Sequence, residues 1–172
     1  YNVPGRTAVN MLPETVIRLS GIDTVVGVKE ASGKIEQIRE IVAGVRSDFA
    51  VVSGDDAMNL EIYEAGGAGC ISVTANVVPS KVAAVWDAFS GGRGSEAKEL
   101  QAALSELNRA MFLETNPLPA KTALAAMGFC REEFRLPLTP MSEGRKEELL
   151  SVLNREGLMS SGDASSRKGV SR

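Results

Sequence analysis

Thr24-Val25-Val26-Gly27-Val28-Lys29-Glu30-Ala31-Ser32-Gly33 decides the fold. It opens as a short, almost continuous apolar run with β-branched residues at Thr24, Val25, Val26 and Val28. A parallel strand buried on both faces has this composition, and the expected strand covers about residues 23–29. A lysine then ends the run. A buried cation is costly unless it is paired or neutral, and desolvation pulls a lysine below its ordinary pKa of about 10.4. A neutral amine is a nucleophile whose natural partner is a carbonyl carbon, giving a Schiff base. From this stretch alone two readings of Lys29 stand: a strand-end lysine that snorkels to water, or that nucleophile.

Composition narrows the chemistry. The chain has 172 residues, 44% hydrophobic and 24% charged, enough for one domain with a substantial core. A net charge of −3 gives no electrostatic case for nucleic acid or an anionic membrane. No apolar run is long enough to span a bilayer. Histidine is absent, which removes Ser-His-Asp, Cys-His and HExxH sites from this chain. Proton transfer must then use Tyr, Lys, Asp, Glu or water. No metal is expected, since no acidic or cysteine cluster has ligand spacing; Asp55 and Asp56 read as capping residues. Cys70 and Cys130 make no disulfide framework and read as small core residues in a reducing, cytoplasmic setting. Beginning at Tyr1 rather than Met, the chain reads as a processed product or a piece of a longer one.

Working outward from the strand, Asn2 to Gly5 has turn chemistry, and Pro13 suits the first turn of a helix over 10–20. After the strand, Ser32 is placed to cap a helix whose Ile35, Ile38, Ile41, Val42 and Val45 form one stripe. Phe49 to Ser53 reads as a second strand, and Asp55 as the N-cap of a helix over 56–65. Gly66-Gly67-Ala68-Gly69 reads as a helix-to-strand turn into a third strand over 70–74. Pro79 opens a helix with Val82, Val85, Trp86 and Phe89 on one face. This is strand–helix alternation at the spacing of parallel βα units, with Lys29, Gly54 and Thr74 near the strands' carboxyl ends, where chemistry gathers in such folds. Ser90 to Ser95 reads as a hinge. Beyond it come a helix over 96–113, a break at Asn116-Pro117-Leu118-Pro119, a helix ending at Gly128, and an extended Leu136 to Pro140. Ser142 then caps a last helix with Leu149, Leu150 and Leu153 inward and Gly157 as its stop. Residues 160–172, Ser/Gly-rich and basic, read as a disordered tail.

Several of these segments carry a resemblance: YNVPGRT at 1–7, VGVKEASG at 26–33, SGDDA at 53–57, GGAGCISVTANV at 66–77, ETNPLPAK at 114–121 and RLPLTPMSE at 135–143. In that order and spacing they resemble the dihydrodipicolinate synthase family of pyruvate-dependent class I aldolases, from Tyr1 to about Leu158. The resemblance implies an α/β fold, the C-terminal half of a (β/α)8 TIM barrel over 1–92, followed by a helical C-terminal region over 93–159 and the tail at 160–172. It implies that Lys29 forms a Schiff base with pyruvate, held covalently as substrate with no cofactor, and that Tyr1 relays protons. Arg6 matches the residue that holds the carboxylate of the second substrate, aspartate semialdehyde. Ile71 matches a position whose main chain contacts pyruvate, and Gly54 lies in a pocket-lining segment. It also implies a homotetramer. A complete barrel needs about 250 residues, so the family's first half is expected as a missing partner, without which an open sheet is unstable or sticky. Two alternatives are carried: another pyruvate aldolase such as N-acetylneuraminate lyase, and a non-catalytic truncated barrel.

Overall fold

Three short strands run parallel and side by side in chain order, β1 Gly27–Glu30, β2 Ala50–Ser53 and β3 Gly69–Cys70, in a computed structural model that describes residues 1–159. Lys29 pairs with Val52 and Val52 with Gly69; Glu30 pairs with Ser53 and Ser53 with Cys70. Each crossover is helical, as parallel neighbours require: α3 Ile35–Gly44 joins β1 to β2, and α4 Asn59–Glu64 joins β2 to β3. On β1's other side Asn2 makes a one-residue parallel bridge to Glu30. Its amide donates to the Lys29 carbonyl and its carbonyl accepts from the Ala31 amide, both at 2.9 Å.

The strands are covered on one face only, which corrects the expectation of burial on both. Val28, Glu30, Val51 and Ser53 are buried, while Gly27, Lys29, Ala50 and Val52 are half-buried. The covered face packs Val28 and Val51 with Val16 of α2 (Pro13–Ser20), Ile38 and Ile41 of α3, Phe49 and Ile62. β1 is also shorter than expected. The Arg46 guanidinium takes the carbonyls of Ser20, Ile22 and Val25, holding residues 20–25 in turns rather than in the ladder.

Two polar side chains work differently from the sequence expectation. Ser32 does not cap α3: Lys34 occupies the N-cap position, and the Ser32 hydroxyl accepts from the Lys34 amide at 3.3 Å. The cause is Glu30, whose carboxylate captures the Ser32 amide at 2.7 Å and turns the chain before the helix starts. Asp55 caps as expected, accepting from the Ala57 amide at 3.1 Å. Asp56 does not; it is buried and accepts from the amides of Val73 at 2.8 Å and Thr74 at 3.0 Å. That bend ends β3 at Cys70 and folds Thr74–Asn76 into a 3₁₀ turn, so the third strand is two residues rather than 70–74.

α5 (Pro79–Ser90) lays Trp86 edge-on against Tyr63 at 4.9 Å between ring centroids, with Phe89 at 5.7 Å. Burial pushes the Tyr63 hydroxyl well above its ordinary pKa and raises that of the half-buried Cys70 thiol, so both stay protonated at neutral pH. The expected hinge is a tight corner at Gly91-Gly92, with Gly92 at φ +74°. α6 (Gly94–Ala103) folds back on α5, and the Gln101 amide donates to the Asp56 carbonyl at 2.8 Å. By packing, the chain forms two compact units that part after Ser105. The helix expected over 96–113 is two, α6 and α7 (Ser105–Ala110), separated at Leu104.

In the second unit α8 (Leu118–Ala126) packs on α9 (Glu143–Arg155), with Leu149, Val152 and Leu153 fully buried; Val152 takes the place expected for Leu150. Cys130 is exposed, not core. The expectation for residues 160–172 lies outside the described residues. Ser142 occupies the N-cap position of α9, yet its hydroxyl donates to Glu114 at 2.7 Å and its amide does so at 2.9 Å. Those two bonds hold the Glu114 carboxyl below the usual carboxylate range. A carboxyl lowered in the folded state gives stability that is present above its unfolded pKa and is lost as pH falls through the lowered folded value. Ser142→Ala brings Glu114 back toward its ordinary value. Hydrogen exchange in α9 should then show a flatter acid dependence than in wild type, and an unchanged acid limb contradicts the assignment.

Candidate active site

The carboxyl ends of β1 and β2 and the start of the chain meet at Lys29. Alternation along β1 sends Lys29 to the face opposite Val28 and Glu30. Its Nζ lies over the Tyr1 ring, 4.2 Å from the centroid, a cation–π distance. Its stem crosses Gly54. A Cβ at position 54 would stand 2.9 Å from Lys29 Cε, 3.1 Å from Lys29 Cγ and 3.0 Å from the Ala31 Cβ, so only glycine leaves the lysine this path. Gly54 is tied to the strand end by its amide, which donates to the Glu30 carbonyl at 2.8 Å. Lys29, Tyr1 and Gly54 are thus brought together by direct approach. Ile71 follows β3, its amide bonded to the Ser53 carbonyl at 2.8 Å and its side chain 54% exposed. Arg6 lies on the short helix α1 (Pro4–Thr7) and is exposed.

The expected dry surroundings of Lys29 are not met within this chain. Lys29 is half-buried and Tyr1 is 61% exposed, because the face they share is the open one. Chemically the arrangement offers a primary amine for a carbonyl carbon and a phenol beside it for proton transfer. Among the described residues no group of three or more His, Cys, Asp or Glu is placed to hold a metal ion, and no helix is long and apolar enough to cross a membrane. Sequence reasoning missed a polar cluster behind the lysine, built on Asn2, Asn10, Glu30 and Gln37. Strict alternation after Val28 puts Glu30 among the helices and could have revealed it.

Parallel βα units with a lysine, a tyrosine and a glycine at the strands' carboxyl edge define an α/β protein of the kind that places its chemistry at that edge. The profile of the dihydrodipicolinate synthetase family matches residues 1–156, and the chain belongs to that family. The 4-hydroxy-tetrahydrodipicolinate synthase of Thermodesulfovibrio yellowstonii is 50% identical over 159 residues, which are 92% of this chain and 55% of that protein. That of Pelobacter propionicus is 46% identical over the same coverage. The crystal structure of dihydrodipicolinate synthase from Thermotoga maritima matches with a TM-score of 0.90 at 45% identity, covering 92% of this chain and 55% of that one. The chloride-inhibited enzyme from Acinetobacter baumannii, solved with pyruvate, matches with a TM-score of 0.88 at 37% identity over the same shares. The chain therefore spans about half the length of these relatives and is an α/β fragment of their TIM-barrel fold.

Proposed function

We propose that this chain is the C-terminal, lysine-bearing part of a 4-hydroxy-tetrahydrodipicolinate synthase, a Schiff-base lyase that condenses pyruvate with aspartate semialdehyde. The observation that carries the reading is Lys29 crossing Gly54 to lie under the Tyr1 ring. In this reading Lys29 Nζ attacks the keto carbon of pyruvate. Tyr1 delivers a proton to the departing hydroxyl of the carbinolamine, and water leaves as the imine forms. Loss of a methyl proton gives the enamine, whose carbon attacks the aldehyde of aspartate semialdehyde. The aldehyde oxygen takes up a proton to become a hydroxyl, and the α-amino group that aspartate semialdehyde already carries attacks the imine carbon, closing the ring and expelling the Lys29 amine. Pyruvate rests against Gly54 and the main chain at Ile71. Arg6 receives the second substrate's carboxylate, for which a guanidinium offers a planar fork. The open face over Lys29 is covered by the remaining barrel segments, and the complete protein is a homo-oligomer.

Arg6 separates this reading from another pyruvate aldolase. Arg6→Ala is expected to leave pyruvate trapping by borohydride within about two-fold while product formation from aspartate semialdehyde falls by about 10²-fold, a loss that removing a charge-assisted bidentate pair can supply. The measurement uses the chain joined to the part of the Thermodesulfovibrio relative that it does not span. Unchanged use of aspartate semialdehyde rules against the synthase. A second reading, a truncated barrel serving in assembly, is favoured by the exposed Val26 and Ile71; it predicts folded protein that traps no pyruvate.

A further inference from the structure

Behind Lys29, on the helix-covered face of β1, lies a buried polar cluster that the proposed chemistry does not use. Glu30 is fully buried, and Asn2 and Gln37 nearly so. Asn2 Nδ2 donates to both Glu30 carboxylate oxygens at 3.1 Å. The Ser32 amide donates to the same carboxylate at 2.7 Å, and Gln37 Nε2 at 3.4 Å. Asn10 ties the partners together: its Oδ1 accepts from Asn2 at 3.0 Å and Gln37 at 3.2 Å, and its Nδ2 donates to Gln37 Oε1 at 2.8 Å. Asn2 Oδ1 accepts from the Met11 amide at 2.9 Å. All four of these bonds to Glu30 are ones it accepts, so an amide in its place would turn an NH₂ group toward other N–H donors.

A buried carboxylate is a costly way to fill space, and an apolar pair of the same volume would pack without that cost. What an apolar pair would not supply is register. Asn2 follows Tyr1, Glu30 follows Lys29, and Asn2 and Glu30 face each other across a bridge held by only two backbone bonds. Side chains alternate along a strand, so the pair clamped behind fixes the pair in front, and a one-residue slip would turn Tyr1 into the core.

We propose that the Asn2–Glu30 clamp, buttressed by Asn10 and Gln37, is the positioning device that holds the Tyr1 ring over the Lys29 amine. Asn2 and Glu30 are positioning residues. Their effect on chemistry rests on the synthase reading; their effect on geometry does not.

The geometry is read without substrate. In the 172-residue chain labelled at lysine, ring current from Tyr1 shifts the Lys29 ε-methylene protons away from those of the exposed lysines. Asn2→Ala and Glu30→Gln are expected to collapse that shift while amide protection in α3 persists. Val85→Ala, on α5 and outside the core cluster that holds Val28 and Ile38, should lower stability and leave the shift in place. If Glu30→Gln does not fold, Asn10→Ala, which reaches the clamp only through side chains, should move the signal part of the way. The chemistry is read by borohydride trapping in the chain completed with the relative's remaining segments. There the saturating trapping rate of Asn2→Ala should fall by about 10²-fold with half-saturation by pyruvate held within about two-fold, since only alignment is lost. A wild-type shift that is absent, or that survives in folded Asn2→Ala, overturns the clamp. A shift that collapses as expected in a protein that traps no pyruvate upholds the clamp and sinks the synthase reading.

Discussion

Lys29→Arg should abolish pyruvate trapping while leaving the fold intact. The guanidinium stays protonated at any accessible pH and is no nucleophile, so the imine has no nitrogen from which to form. The substitution keeps a long basic side chain against the Tyr1 ring, where Lys29 Nζ stands 4.2 Å from the centroid, so the local packing is retained. Removing a covalent nucleophile is expected to cost about 10³-fold or more in the trapping rate, against a change in stability that thermal unfolding barely registers. Trapping near the wild-type rate in Lys29→Arg would mean that another of the chain's lysines carries the reaction.

Gly54→Val should have the next largest effect, through geometry rather than chemistry. A Cβ there enters within 2.9 Å of Lys29 Cε and 3.0 Å of the Ala31 Cβ. The backbone of a strand end yields less readily than the far end of a lysine, so Lys29 moves and the sheet stays. A displacement of about 1 Å at a reacting group costs about 10²-fold, while overpacking of this kind costs about 1–3 kcal/mol in stability. Gly54→Ala should fall between wild type and Gly54→Val. The expected pattern in borohydride trapping is a steep loss of rate from glycine to alanine to valine with the protein still folded. A Gly54→Val protein that traps as fast as wild type would show that the lysine does not use this path.

Much of the first unit was legible because its signals are local or periodic. Pro13 starts α2, the Ile38 and Ile41 stripe buries α3, Asp55 caps its turn, and the strands recur at the spacing of parallel βα units. Three of the misreadings share an origin: polar side chains that reach across the fold. Glu30 takes the Ser32 amide and displaces the expected cap, Asp56 takes the Val73 and Thr74 amides and cuts β3 to two residues, and Arg46 takes the carbonyls before β1. None of these partners is near enough in sequence for a propensity or a period to report it, Ser32 excepted. The half-open face under Lys29 was misread for a different reason. An apolar run records the burial of the complete protein, whereas this chain spans about half the length of its relatives. At the site, Lys29, Tyr1 and Gly54 were named from the sequence, while Asn2 and Glu30, adjacent to two of them, were not, because a buried carboxylate bonded only by neutral donors leaves no charge pattern to read.

The central claim is that the amine at position 29 captures a keto acid. The most direct measurement is the mass of the peptide carrying that residue, after the chain, completed with the relative's remaining barrel segments, is incubated with pyruvate and reduced with borohydride. The account predicts a gain of one pyruvic acid less one oxygen atom, confined to Lys29. Folded protein whose Lys29 peptide is unmodified, or whose adduct is spread over exposed lysines, contradicts it.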